Sequence, residues 1–252
     1  MRWIINPQVF SADWPAPSTI KTLLSTRKGG VSQAPFSSLN LGDHVNDNVE
    51  DVTVNRQLFT SFLPASPVWL SQVHGTDVIE LTSSAHVIDP PVADGSFSKQ
   101  PNQVCCVMTA DCLPVLICNL QGTQVAAVHA GWRGLLDGII EQAIDQFDPS
   151  DELLAYLGPA IGANAFEVGA EVKQAFCERD PSVINAFRSS VNKGKWLADI
   201  YELARNRLNG KGVGGVYGGQ FCTVTDKERF FSFRRDGQTG RMASCIWIEQ
   251  SI

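Results

Sequence analysis

A chain of 252 residues with 44% hydrophobic and 18% charged residues is long enough to bury a large core and too short for several ordinary domains, so a single domain over residues 1–252 is expected. Its net charge of -6 offers no broad basic face for releasing counterions from phosphates, which excludes a nucleic-acid partner. Apolar runs stay near about ten residues where a bilayer span needs about twenty, and the N-terminal stretch has no apolar core followed by a small-residue cleavage site. A monomeric cytoplasmic protein with no membrane segment is the expectation. Seven cysteines, an odd count with Cys105 and Cys106 adjacent, argue against a disulfide framework.

In chain order, runs rich in Val, Ile, Leu or Cys predict strands over residues 22–25, 68–72, 78–81, 104–109, 114–119, 123–129, 153–157 and 244–249. Helical spacing of apolar residues predicts helices over 48–62, 134–147, 166–178 and 197–208, the last beginning near Asp199 and ending at Asn209 and Gly210. Several strands are apolar on both faces and suit sheets covered on both sides. With several antiparallel pairs among these elements, the fold class is α+β.

Only four histidines are present, so their positions carry weight. His74 lies where a strand meets a Gly turn, Cys112 in a turn between two apolar strands, and His129 at the end of a strand that runs through a glycine loop into a helix. Two imidazoles and a thiolate match the borderline softness of zinc and leave its fourth position open, the mark of a catalytic rather than a structural site. The spacing fixes no two ligands on one element, so a core thiol and two hydrogen-bonded turn histidines remain as the alternative. His44 reads as a solvated turn residue, and His86 has no role. Arg133, in a GWRG loop that opens a helix, suits an anion, although such a loop also serves close packing of strand and helix. The arginine-rich stretch 233–241 is equally open between anion binding and a solvated turn.

Seven ordered motifs resemble those of the bacterial laccase-domain or polyphenol-oxidase family, also called YfiH-like. They are TRKGGVS at 26–32, SLNLGDH at 38–44, QVHG at 72–75, ADG at 93–95, TADCLP at 109–114, VHAGWRG at 128–134 and RRDGQTGR at 234–241. The resemblance spans nearly the whole chain. It implies a four-layer α/β/β/α fold with mixed sheets and a metal, zinc or alternatively copper, on His74, Cys112 and His129. It also implies phosphorolysis of adenosine, inosine and methylthioadenosine, with deamination of adenosine as a second activity. Some members resemble peptidoglycan editing factors, which suggests a different physiological substrate.

On that reading the small-molecule partners are a purine nucleoside and phosphate. Cys112, His44 and Asp111 are assigned to catalysis, and Arg27, Asn40, Asp94, Arg133 and Arg241 to substrate binding. For phosphorolysis, Arg133, helped by Arg27 and Arg241, holds phosphate against the anomeric carbon while the metal or His44 stabilises the departing base. For deamination, a water activated at the metal attacks the ring carbon bearing the amino group, with Asp111 or Asp94 moving the proton. Multicopper laccase chemistry needs more imidazoles than four histidines supply, which leaves a single-copper polyphenol oxidase as the oxidative alternative. The other rivals are a cysteine hydrolase with Cys112 as nucleophile and a zinc-stabilised module that binds an anion without catalysis.

Overall fold

Strands that are apolar on both faces have to be covered twice, and the computed structural model, which describes residues 8–82 and 89–250, shows what covers them. The first half of the chain forms β1 (Val9–Phe10), β2 (Ile20–Ser25), α1 (Val49–Thr60), β3 (Val78–Glu80), β4 (Gly95–Ser98), β5 (Cys105–Thr109), β6 (Leu113–Asn119) and β7 (Val125–Ala130). After it come α2 (Trp132–Asp137), α3 (Ile139–Ile144), β8 (Leu153–Leu157), β9 (Glu167–Gly169), α4 (Ala170–Arg179), β10 (Phe187–Ser189) and β11 (Lys195–Ala198). The chain closes with α5 (Ile200–Gly210), β12 (Gly215–Gly218), α6 (Phe233–Asp236) and β13 (Met242–Ile248).

One sheet has the order β1-β2-β13-β5 and is antiparallel throughout. The larger one has the order β12-β8-β6-β7-β4-β3, with parallel pairs at both edges and antiparallel pairs between them. A small sheet, β10-β11-β9, lies apart from both.

The period of two along each strand then builds the layers. In β6, Leu116 and Cys118 pack with Val107 and Ile246 of the smaller sheet, while Val115 and Ile117 face Leu135, Ile139 and Leu203 of the helices. In β5 and β13, Cys106, Met108 and Cys245 turn the other way, onto Phe59 of α1 and Leu39 and Leu41 of the loop before it. The result is helix, sheet, sheet, helices, the four-layer α/β/β/α arrangement that the resemblance implies.

Capping residues set the helix starts. The Asn48 side chain accepts from the N–H groups of Glu50 and Asp51, and Asp199 does the same for Tyr201 and Glu202, satisfying donors that a first turn leaves open. Within α1, the buried Asn55 donates to Ser32, Ser38 and Asn40 and accepts from Val31, so it pins the loop before α1.

Several expected elements differ. The helix expected over 134–147 starts at Trp132 and breaks at Gly138, which takes φ 108°, a conformation costly for any side chain. Residues expected to begin helices at 166 and 197 instead form β9 and β11, because tertiary pairing in the small sheet outweighs helical spacing. Residues 68–72 form no strand beyond a single bridge from Ser71 to Val92. There the Gln72 side chain does what a strand main chain would do, donating to Met108 O at 2.8 Å and accepting from Met108 N at 2.7 Å. The strand β4 escaped sequence reading because Gly95, Ser96 and Ser98 have low strand propensity; it forms because β3 and β7 flank it.

Candidate metal centre

Two loops and the end of one strand bring His74, Cys112 and His129 together. Cys112 immediately precedes β6, His129 lies near the end of β7, and the β6–β7 register sets Pro114 opposite His129. His74 comes from the loop before β3, held in a left-handed turn at φ 61°. One ligand atom from each residue falls within 4.8 Å of the others, with Cys112 Sγ 3.7 Å from His74 Nε2. Tetrahedral zinc with ligands at 2.0 to 2.3 Å separates its ligand atoms by about 3.5 Å, so the donor set suits such an ion and the Cys112–His74 spacing is close to that separation.

Asp94 organises this geometry from beneath. Its side chain is fully buried and accepts four hydrogen bonds. Oδ1 takes His129 Nδ1 at 2.7 Å and His74 N at 2.9 Å, while Oδ2 takes Gly75 N at 2.7 Å and Val73 N at 3.1 Å. Three successive main-chain N–H groups converging on one carboxylate make an anion nest, and the bond to Nδ1 leaves the other ring nitrogen of His129 for the metal side. Close approach completes the site: a Cβ on Gly131 would lie 2.7 Å from His74 Cδ2 and 3.3 Å from Cys112 Sγ.

The charges are mutually supporting. Burial pushes the Cys112 thiol up, but the His129 charge and hydrogen bonds from both histidines outweigh it and hold the thiol at about 6. Burial likewise opposes a charged His129, yet the Cys112 thiolate and Asp94 raise it to about 9. Ligand thiolate is therefore available at neutral pH.

The triad opens into a cavity of about 400 Å³. His44, Asp111 and Arg241 share its wall with the triad. Asp111 adopts φ 93° and is tied by Thr223 Oγ1 at 2.5 Å and Arg234 N at 2.6 Å. Burial and the nearby Arg241 charge both lower His44 from the ordinary histidine value. Arg241 Nη1 donates to the carbonyls of Thr239 and Gly240, which orients its guanidinium while Nη2 and Nε make no hydrogen bond among the described residues.

The other sequence-based assignments do not meet at this wall. Arg27 lines a separate surface depression, donates to Ser37 O and Lys227 O, and lies over the Phe231 ring. Arg133 is exposed and stacks on Trp132, its guanidinium carbon 4.5 Å from the ring centroid. Asn40 has all its amide capacity spent, on Gly42, Asp47 and the main-chain N–H of Arg241, so it positions Arg241 instead of meeting a substrate. Asp94 is in the same position, its lone pairs taken and its surface closed. His86 lies outside the described residues. Gln72, Phe233 and Arg234 join the wall without having been assigned to the site; Gln72 and Arg234 lie inside the motifs that carry His74 and Arg241, and Phe233 immediately precedes the second.

The family described as multi-copper polyphenol oxidoreductase laccase matches residues 21–249. The chain belongs to this family. Among its relatives, Purine nucleoside phosphorylase PA4543 of Pseudomonas aeruginosa is 51% identical over 238 residues, covering 94% of this chain and 97% of that protein. Purine nucleoside phosphorylase YfiH of Escherichia coli K12 is 53% identical over 252 residues, covering 98% and 100%. In three dimensions, a crystal structure of a Neisseria meningitidis protein of family DUF152 superposes with a TM-score of 0.90 at 50% identity, covering 96% of this chain and 100% of that one. Despite the family's description, the triad is the sole cluster of three or more His, Cys, Asp or Glu ligand atoms among the described residues, too few for a multicopper centre. No helix among the described residues is long and apolar enough to cross a membrane.

Proposed function

We propose that the chain is a metal-dependent purine nucleoside phosphorylase acting on adenosine, inosine and methylthioadenosine, with deamination of adenosine as a second activity, working as a cytoplasmic monomer. One observation carries this reading: the His74, Cys112 and His129 triad and Arg241 line the same cavity, whose volume suits a nucleoside. The names of relatives at about half identity support it.

His74, Cys112 and His129 would hold the ion, zinc by the donor set and copper as the alternative. When bound, it supplies Lewis acidity at the floor of the cavity. Arg241 binds phosphate through the nitrogens its carbonyl contacts leave free, and brings an oxygen against the anomeric carbon. As the new C–O bond forms, the glycosidic C–N bond breaks and its electron pair passes into the purine ring. His44, kept neutral by burial and Arg241, hydrogen-bonds the departing base. In deamination, water adds at the ring carbon that bears the amino group, the C–N bond to that group breaks and ammonia leaves; Asp111 moves the proton from the water to the amino group, because it borders the cavity where Asp94 does not.

The test is metal content per chain together with the phosphate dependence of hypoxanthine release from inosine. Stoichiometric metal and release that vanishes without phosphate is the expected result. Full turnover by metal-free protein, with trapping of Cys112 by a substrate-derived group, would favour the cysteine-hydrolase reading.

A further inference from the structure

Three aromatic side chains border the cavity, Trp132, Phe166 and Phe233, and they differ in how much of each ring is already used. Trp132 is half-buried and carries the Arg133 guanidinium. Phe166 is buried in the helical layer core, with Arg234 5.8 Å from its centroid. Phe233 is 59% exposed.

Exposure of Phe233 is a consequence of how firmly its neighbours are held. Phe230 and Phe231, immediately before it, are fully buried. The fully buried Ser232 caps the next turn by accepting from Arg235 N, Phe233 O accepts from Gly237 N at 2.8 Å, and Arg234 N is bound to Asp111. The backbone on both sides of Phe233 is thus fixed. A phenylalanine left largely in water forgoes the gain of burial, so a rigidly displayed ring on a cavity wall points to a ligand that covers it.

We propose that the Phe233 ring is the platform on which the purine base stacks, and that it makes Phe233 the residue selecting a planar bicyclic base. This rests on the phosphorylase reading above and adds to it the contact that recognises the base. The position of Arg241 supports the assignment, since its guanidinium carbon lies 6.0 Å from the Phe233 centroid. Base and phosphate must occupy adjacent subsites, because the bond that forms and the bond that breaks share the anomeric carbon. A platform beside the phosphate-binding arginine satisfies that requirement. A purine covers more of a phenyl face than a pyrimidine does, so the platform discriminates between them.

The experiment compares Phe233→Ala, Phe233→Leu and Phe233→Trp with the unaltered protein, reading KM for inosine, KM for phosphate, and direct calorimetric binding of free adenine. Loss of one base–aromatic stack corresponds to a roughly tenfold to hundredfold change. Phe233→Ala and Phe233→Leu are expected to raise the inosine KM and weaken adenine binding by that factor, with a much smaller change in the phosphate KM, while Phe233→Trp stays close to the unaltered protein. Inosine turnover with adenine binding and inosine KM unmoved in Phe233→Ala, or with Leu serving as well as Trp, overturns the platform and leaves the phosphorylase reading standing. Adenine binding that depends on an aromatic residue at this position, without phosphate-dependent turnover, supports the platform and overturns the phosphorylase reading. Protein that neither binds adenine nor consumes inosine overturns both.

Discussion

Asp94 Oδ1 and His129 Nδ1 meet at 2.7 Å, with the Asp94 side chain fully buried and the His129 side chain nearly so. This pairing decides which ring nitrogen carries the proton and leaves the other for the ion. Asp94→Asn removes the charge and weakens that choice of tautomer, so metal affinity should fall roughly tenfold to hundredfold in competition with a chromogenic chelator. An unchanged affinity would mean that packing alone orients the ring. The same residue predicts a pH response. Burial pushes the Asp94 carboxyl up, but hydrogen bonds from His129 and Gly75 hold it below its ordinary value. A depressed folded-state value contributes stability that is complete above about pH 4 and is lost as pH falls through the folded value. Acid unfolding of Asp94→Asn should show less of this loss than the unaltered protein.

Gly131 has an unremarkable φ of -65°, so its need for glycine is purely spatial. Gly131→Ala drives a methyl group into His74 and Cys112. Metal content after dialysis should drop while the circular dichroism spectrum stays that of a folded protein. Full occupancy would show that the His74 loop yields at little cost.

Arg241 and Arg133 make opposite predictions. Arg241→Lys keeps the charge but loses the planar fork, and the phosphate KM should rise roughly tenfold or more, in line with about 1.5 to 3 kcal/mol for a hydrogen bond to a charged group. Arg133→Lys should leave it nearly unchanged, because Arg133 is exposed, stacked on Trp132 and absent from the cavity wall. The reverse pattern in steady-state phosphate titrations would return the anion site to the helix start.

In metal-free protein, Cys112 should react with iodoacetamide as a thiolate well below the pH that an ordinary cysteine needs. Its value of about 6 arises because His129 and His74 outweigh burial. The rate should be flat from about pH 7 to 8 and fall as pH drops through 6. Rates that climb steadily to pH 9 would mean that the histidines do not support the thiolate. Saturating the site with zinc should suppress the reaction at every pH.

The layers were legible in the sequence because a strand that is apolar at both parities can only lie between two cores. β6 and β8 fall at or within a residue of their expected limits for that reason. Short pairings such as β9 with β11 were not legible, since three residues carry no period of their own and are decided by partners distant in sequence. At the site, the ligands could be read because His and Cys are chemically distinctive and few. The sequence ranks Arg133 ahead of Arg241 for phosphate because Arg133 sits in a glycine loop that opens a helix, and only the folded chain puts Arg241, not Arg133, on the cavity wall. Asn40 and Asp94 were recognisable as motif residues, but not as residues whose polar atoms are consumed internally.

The loop that carries His74 is fastened at two places to different layers. The Gln72 amide clasps Met108 of β5 in the smaller sheet, whereas the N–H groups of residues 73–75 are gathered by Asp94, immediately before β4 of the larger one. The loop is thus a short tie across the interface between the sheets. Sliding of one sheet over the other strains this tie between Gln72 and His74, while His129 lies in the larger sheet and Cys112 leads into it. By thermodynamic reciprocity, an ion seated on all three resists that sliding. The centre then acts as a rivet between layers: pressure or mild denaturant that loosens the interface should release the ion before the helices melt, and loading the ion should slow hydrogen exchange in β5.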